Sequence, residues 1–206
     1  MSRFKNIIFD LGGVLLDLDV AGCMEELERI GLHKVREWMT GTNEAGFFKD
    51  YEAGMLTTAQ FREYIGRWTD RSLPDAEIDR IWNRMLKDIP AYKLDLLWKL
   101  RKDYNLYLLS NTNELHWQVC TGKFACKGRR VQDYFTRIFL SFQMHLVKPD
   151  TEIFREVLKE AGLMAEETLF VDDSEVNCQA AASLGINVFH YIPGDDLAVQ
   201  LQEIIE

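Results

Sequence analysis

The sequence predicts an α/β fold: a doubly wound parallel sheet that carries an inserted α-helical cap domain. Two observations predict the sheet. Short, almost continuous apolar runs are typical of strands buried on both faces, and amphipathic helical patterns alternate with those runs. A third observation, a long helical stretch between the first strand and the second, predicts the cap.

Five apolar runs predict the strands, at residues 6–9, 105–109, 137–140, 168–171 and 187–191. Helical patterns lie next to the later runs, at residues 93–102, 151–161 and 175–184. The last pattern follows Ser174, a candidate N-cap, and stops at Gly185, which suits a helix C-terminus. Because short loops separate strand from helix, we expect parallel strands with helices on both faces of the sheet.

Residues 20–89 contain no convincing strand pattern. Helical patterns at 24–38, 58–68 and 75–86 are separated by turn signals at Gly31, 41–43, Gly54 and 72–74. A helical block of about 70 residues is too long for an ordinary connection between strands. We therefore expect a core domain formed by residues 1–19 and 90–206, and a helical cap domain formed by residues 20–89. The aromatic side chains of this block should mostly form its own core.

The composition of the chain restricts the classes of partner. A formal net charge of -9 on 206 residues would repel nucleic-acid phosphates, so we expect no nucleic-acid partner. No stretch approaches the roughly 20 apolar residues of a membrane span, so we expect no membrane association. The four cysteines are scattered and predict neither a disulfide framework nor a metal site. We expect a cytoplasmic protein that is a monomer or a weak homodimer.

Polar side chains stand at the ends of four predicted strands or in the loops that follow them. They are Asp10, the run Ser110-Asn111-Thr112, Lys148, and the pair Asp172-Asp173. In an open parallel sheet, ligands bind outside the carboxyl ends of the strands, so these groups should share one crevice. Three carboxylates in one crevice repel each other unless a cation lies between them, and oxygen ligands select a hard ion. The pattern therefore predicts a Mg²⁺ site beside a phosphate group.

These four motifs, in this order, resemble those of the haloacid dehalogenase (HAD) superfamily, in its phosphatase branch with a helical cap. The resemblance covers essentially the whole chain and implies a HAD-like Rossmannoid core. It implies a phosphoric monoester hydrolase in which Asp10 attacks phosphorus and forms an aspartyl-phosphate, which water then hydrolyses. The implied Mg²⁺ ligands are Asp10, the backbone carbonyl of Gly12, Asp172 and Asp173.

The same resemblance implies how the substrate phosphate is held. Ser110 and the neighbouring amide of Asn111 would hold a phosphoryl oxygen, and Lys148 would neutralise charge shared by the nucleophile and the phosphate. The expected catalytic residues are therefore Asp10, Lys148 and Ser110. The expected partner is a small phosphorylated molecule.

One position departs from the superfamily pattern. Most of its phosphatases carry a second aspartate two positions after the nucleophile, as general acid and base, and this chain has Gly12 there. A sugar 1-phosphate, whose leaving group is comparatively acidic, would suffer least from that loss. The Asp-Leu-Gly-Gly-Val run, and His116 after the Ser-Asn-Thr-Asn stretch, also resemble α-glucose-1-phosphate phosphatases. We therefore predict a sugar phosphate substrate, His116 among its binding groups, and a replacement acid from His116 or from a cap side chain.

Three other functions fit parts of this pattern. A haloacid dehalogenase uses the same nucleophile without a metal, and the pair Asp172 and Asp173 argues against it. A phosphoglucomutase-like enzyme shares the fold but needs the acid and base that Gly12 removes. A non-catalytic module that binds a phosphorylated metabolite is the alternative from a different class, and Gly12 favours it. Metal-dependent turnover would separate that module from the enzyme.

Overall fold

The computed structural model describes residues 3–33, 46–69 and 72–205. Within them lies one parallel sheet of five strands in the order β3-β2-β1-β4-β5. The strands are β1 (Asn6–Phe9), β2 (Asn105–Ser110), β3 (Arg137–Leu140), β4 (Thr168–Asp172) and β5 (Asn187–His190). Each lies within one residue of its predicted bounds, and the predicted fold class is confirmed.

Eleven α-helices are seen in the described part of the chain. Four lie between β1 and β2: α1 (Val20–Arg29), α2 (Gly46–Glu52), α3 (Thr58–Arg67) and α4 (Asp75–Asn83). The others are α5 (Ala91–Leu100), α6 (Glu114–Lys123), α7 (Val131–Tyr134), α8 (Ser141–Met144), α9 (Thr151–Ala161), α10 (Glu175–Ala182) and α11 (Leu197–Ile205). No helix of the described ranges has both the length and the apolar character needed to cross a membrane.

The almost continuous apolar runs are explained by burial of both faces of the sheet. In β1, Ile7 and Phe9 join the cluster on one face, which also receives side chains from α5 and α11. Ile8 points to the other face, where it joins side chains from α9 and α10. Because alternate residues of a strand face opposite sides, a strand covered on both sides must be apolar at every position.

The helices α1 to α4 bury their aromatic and aliphatic side chains in a separate cluster, to which α6 of the core adds Leu115. Within this cluster, neighbouring rings lie with centroids 4.1 to 6.1 Å apart; the residues are Phe47, Phe48, Phe61 and Trp82. The division into a core (1–19 and 90–206) and a cap (20–89) stays a prediction. Of the pattern at 24–38, only the part up to residue 33 is described, and α1 ends earlier, at Arg29.

Two chain segments join the helical block to the sheet, and they pair with each other. The amide of Asp19 donates to the carbonyl of Met85 (2.7 Å), and the amide of Lys87 donates to the carbonyl of Asp17 (2.9 Å). Leu18 and Leu86 form an antiparallel bridge between these two contacts. We call this pair of segments, 17–19 and 85–88, the connecting ribbon.

Candidate active site

Three carboxylates meet at the carboxyl end of the sheet. Asp10 follows β1, Asp172 ends β4, and β1 and β4 are direct neighbours in the sheet. Together with Asp173, they offer one oxygen each within 4.8 Å of one another. From β1, the chain adds β2 and β3 on one side of the sheet and then β4 and β5 on the other side. Open parallel sheets bind their ligands at such a switch point.

Lys148 lies between two of these carboxylates. Its Nζ is 2.8 Å from Asp10 Oδ1 and 2.6 Å from Asp172 Oδ2, and the lysine is only 4% exposed. Burial lowers the pKa of Lys148, but the carboxylates of Asp10 and Asp172 raise it more, so the ammonium stays charged. The side chain of Asn111 fixes the backbone of Lys148 from both sides, with 2.9 Å hydrogen bonds to its amide and to its carbonyl.

The carboxylate cluster suits a divalent cation. Burial raises the pKa of Asp10 to about 7, with Lys148 opposing and Asp172 adding to this shift. Burial and Asp172 also raise the pKa of Asp173. One ammonium does not balance three carboxylates, and a cation among them would relieve the repulsion. The side-chain ligands offered here are all oxygens, which is the type of ligand that Mg²⁺ prefers.

The loops around the cluster are built to hold these carboxylates in place. Asp172 Oδ1 accepts hydrogen bonds from the Ser174 amide (2.8 Å) and from Asn177 Nδ2 (3.0 Å). Gly13 has φ +81, and a Cβ there would lie 2.2 Å from Asp173 Oδ2. Any side chain at position 13 would therefore displace a carboxylate of the cluster.

Ser110 and Gly12 lie at this same edge of the sheet. Ser110 ends β2, is buried, and its hydroxyl is 3.4 Å from the carbonyl of Asn111. A Cβ placed on Gly12 would lie 3.1 Å from Leu18 Cδ1, so Leu18 of the connecting ribbon contacts the position where the superfamily pattern has its second aspartate. The structure thus brings together Asp10, Gly12, Ser110, Asn111, Lys148, Asp172 and Asp173.

His116 lies elsewhere, which corrects its predicted place beside the substrate. Its ring is buried, stacks on Trp82 of α4 with centroids 4.8 Å apart, and has both nitrogens engaged. Nε2 donates to the carbonyl of Trp82 (3.2 Å), and Nδ1 accepts from the amide group of Asn113 (3.2 Å). The sequence could not show that this helix face turns toward the cap. His116 thus joins α6 to α4, and both of its ring nitrogens are engaged there.

The packing of His116 predicts a pH-dependent stability. Burial lowers the pKa of His116 to about 4, whereas an unfolded histidine titrates near about 6.5. Between these values only the unfolded state takes up the proton, so stability should fall as pH falls through this window. Relative to a His116→Gln variant, the wild type should lose about 1.4 kcal/mol per pH unit below about 6.5, measured by urea unfolding.

The exposed Gln118 of the same helix supplies the matched control, because it carries no titratable group. Gln118→Ala should keep the pH dependence of the wild type. Equal slopes for the wild type and His116→Gln would contradict the assignment of a neutral, buried imidazole.

Glu52 is a candidate residue that the sequence reasoning missed. It ends α2 and is half-buried, and its backbone carbonyl accepts a hydrogen bond from Ser141 (2.6 Å). Burial raises the pKa of Glu52 to about 7, and Lys148 opposes this shift. No local pattern singles out this glutamate, because its position depends on the contact between α2 and Ser141 at the start of α8.

Comparison with known proteins supports the chemistry that this geometry suggests. The chain matches the haloacid dehalogenase-like hydrolase family over residues 4–185. It is 34% identical over 203 residues to a D-ribitol-5-phosphate phosphatase from Bacteroides thetaiotaomicron, and the match covers 98% of each chain.

Two solved structures are similar over nearly the whole chain. One is a wild-type HAD family enzyme from Bacteroides thetaiotaomicron, in complex with magnesium and inorganic phosphate. It has a TM-score of 0.90 and 43% identity, and the match covers 96% of this chain and 98% of that one. The other is a HAD-like family hydrolase from Porphyromonas gingivalis, with a TM-score of 0.91 and 30% identity, matched over 100% of this chain and 99% of that one.

Proposed function

Because the chain belongs to the haloacid dehalogenase-like hydrolase family, we propose that it hydrolyses a sugar or sugar-alcohol phosphomonoester through a phosphorylated Asp10. It is an enzyme of the phosphatase kind, with Mg²⁺ as its cofactor. The observation that carries the proposal is the cluster of Asp10, Asp172 and Asp173 around the buried Lys148, at the switch point of the sheet.

In the proposed reaction, each side chain has a role that follows from its position. Asp10 attacks phosphorus, and Lys148, 2.8 Å from Asp10 Oδ1, orients the carboxylate and balances the charge that phosphate adds. Ser110 and the amide of Asn111 hold a phosphoryl oxygen at the end of β2. Mg²⁺, held by Asp10, the carbonyl of Gly12, Asp172 and Asp173, supplies positive charge where the phosphoryl group gains negative charge. Water then hydrolyses the aspartyl-phosphate and frees Asp10.

The substrate class rests on the relative and on the charge of the chain. The relative named above acts on D-ribitol 5-phosphate, in which the phosphate is esterified to a primary alcohol. A preference for sugar 1-phosphates stays a prediction. The proposed substrates also include phosphate esters of primary alcohols. The formal net charge of -9 repels anions at long range, so affinity for phosphate must come from local groups such as Lys148. A cytoplasmic location and a monomeric or weakly dimeric state stay predictions.

The same cluster disfavours two of the three alternatives, the dehalogenase and the binding module. A haloacid dehalogenase without a metal has no use for the second and third carboxylates beside Asp10. A binding module without catalysis has no use for a nucleophile held 2.8 Å from a buried ammonium. Both alternatives are separated from the phosphatase by turnover that depends on Mg²⁺.

The test is phosphate release from a panel of phosphomonoesters, with Mg²⁺ and with excess chelator. The panel contains ribitol 5-phosphate, sugar 1-phosphates, sugar 5- and 6-phosphates, and nucleotides. We expect the highest kcat/KM on a sugar or polyol phosphate and loss of turnover with the chelator. Folded protein that releases no phosphate from any of these compounds would contradict the proposal and favour the binding module.

A further inference from the structure

Cleavage of a phosphate ester of an alcohol leaves an alkoxide oxygen that needs a proton. If the proposed function holds, this proton must come from a group other than residue 12, because that residue is glycine and has no side chain to donate it. Leu18 also lies close, since a Cβ placed on Gly12 would be 3.1 Å from Leu18 Cδ1. His116 is also unsuitable, because both of its ring nitrogens are engaged away from the carboxylates. Glu52 is a titratable group of the helical block that the proposed reaction has not used.

That group is on the segment 52–54 of the helical block, which lies directly on the core. The hydroxyl of Ser141 donates to the carbonyl of Glu52 (2.6 Å) and accepts from the amide of Thr112 (2.9 Å). Thr112 belongs to the same loop as Ser110 and Asn111, so this contact ties Glu52 to the loop expected to hold the phosphate.

The next two residues of the segment make equally close contacts. His145, at the left-handed end of α8 with φ 56, donates from Nδ1 to the carbonyl of Ala53 (3.0 Å). Gly54 has φ +67, and a Cβ there would lie 2.1 Å from the carbonyl oxygen of Phe142. The absence of a side chain at position 54 allows the two backbones to touch, and the segment is held in one place.

The Glu52 carboxyl is half-buried, and the positive charge of Lys148 only partly offsets the rise in its pKa that burial causes. Among the described residues, no donor forms a hydrogen bond with this carboxyl. A carboxyl with a pKa raised to about 7 by burial is partly protonated at neutral pH, which is the state that a general acid needs. Such a group can gain and lose a proton at neutral pH, and its backbone is tied through Ser141 to the loop that contains Ser110 and Asn111.

We propose that Glu52 is the general acid and base that takes the place of the aspartate missing at position 12. As the Asp10 oxygen bonds to phosphorus, the bond from phosphorus to the leaving oxygen breaks, and its electron pair stays on that oxygen. The leaving oxygen takes the proton of Glu52 and departs as an alcohol. The Glu52 carboxylate then accepts a proton from the water that attacks the aspartyl-phosphate, and inorganic phosphate and free Asp10 result.

The test compares two leaving groups in a Glu52→Gln variant, loaded with Mg²⁺. On a sugar or polyol phosphate, kcat should fall about 10²- to 10⁴-fold, the usual contribution of a general acid. On p-nitrophenyl phosphate, whose leaving group departs without a proton, the variant should still release about one nitrophenol per active site in a fast burst. Its steady-state rate should then be slow, because water attack on Asp10 lacks its base.

The matched control is Asp50→Asn, which removes an exposed carboxyl from the same helix and should change neither rate. A burst slowed as much as turnover of the sugar phosphate would overturn the proposal, because a merely structural role affects both leaving groups equally. Unchanged turnover of the sugar phosphate would also overturn it. A wild-type protein that turns over neither compound would instead contradict the phosphatase function on which this proposal rests.

Discussion

Replacing Asp10 with asparagine should lower kcat by about four orders of magnitude or more. Asparagine has the same shape but an amide in place of the carboxylate, and an amide is too weak a nucleophile to form the phosphorylated intermediate. Lys148 keeps its other partner, Asp172 at 2.6 Å, so the variant should fold. The measurements are phosphate release with Mg²⁺ and phosphoenzyme formation after acid quench, which should be absent in the variant.

A control for this substitution lies at the opposite, amino-terminal end of the strands. Asp103 is exposed and precedes β2, at the end opposite the carboxylate cluster. Asp103→Asn should leave kcat unchanged. An Asp10→Asn protein that is pure, folded and keeps more than about a tenth of the wild-type kcat would exclude Asp10 as the nucleophile.

Replacing Lys148 with methionine should destabilise the metal-free protein by about 3 to 5 kcal/mol, because it leaves the buried carboxylates of Asp10 and Asp172 without a counter-charge. Mg²⁺ should recover part of this loss, since a cation in the cluster supplies the missing positive charge. The measurement is the free energy of unfolding in urea, with Mg²⁺ and with chelator.

Lys93 provides a matched comparison, because it is also a buried lysine. Its Nζ donates to the carbonyl of Val14 (2.7 Å), but its acidic partner, Asp17, has a half-exposed side chain. Lys93→Met should therefore destabilise the protein less, by about 1 to 3 kcal/mol, and without a response to Mg²⁺. Equal losses in both variants, or no effect of Mg²⁺ on Lys148→Met, would contradict the role given to the carboxylate cluster.

The sheet and the cluster at its edge could be predicted because their signals are local. A strand buried on both faces must be apolar at each position, and the polar residue that ends it marks the edge. The sequence therefore located β1 and Asp10, and the order of the motifs brought the other groups to the same place. The parallel order of the sheet then follows from the short connections.

The missed features depend on contacts between distant segments. Helix α2 has only seven residues, and packing of its aromatic side chains supports it more than propensity does. Glu52 is placed by contacts of its backbone with Ser141, which no local pattern encodes. His116 follows a functional loop in the sequence, but the face of α6 that carries it packs on Trp82. His116 is close to the Ser110 loop in the sequence, but this did not show which groups its ring would contact.

The contact between Gly12 and Leu18 bears on how such a chain can evolve. Leu18 belongs to the connecting ribbon, so a side chain at position 12, which would meet Leu18 Cδ1 at 3.1 Å, presses on the segment that joins the helical block to the sheet. Leu18 Cδ1 is the end of a flexible side chain that is 38% exposed, so a shift of a few tenths of an ångström would make room for a Cβ at 12. The effect of a mutation at 12 thus depends in part on the residue at 18. A smaller residue at 18 would lower the cost of a side chain at 12, whichever chemistry selection favours.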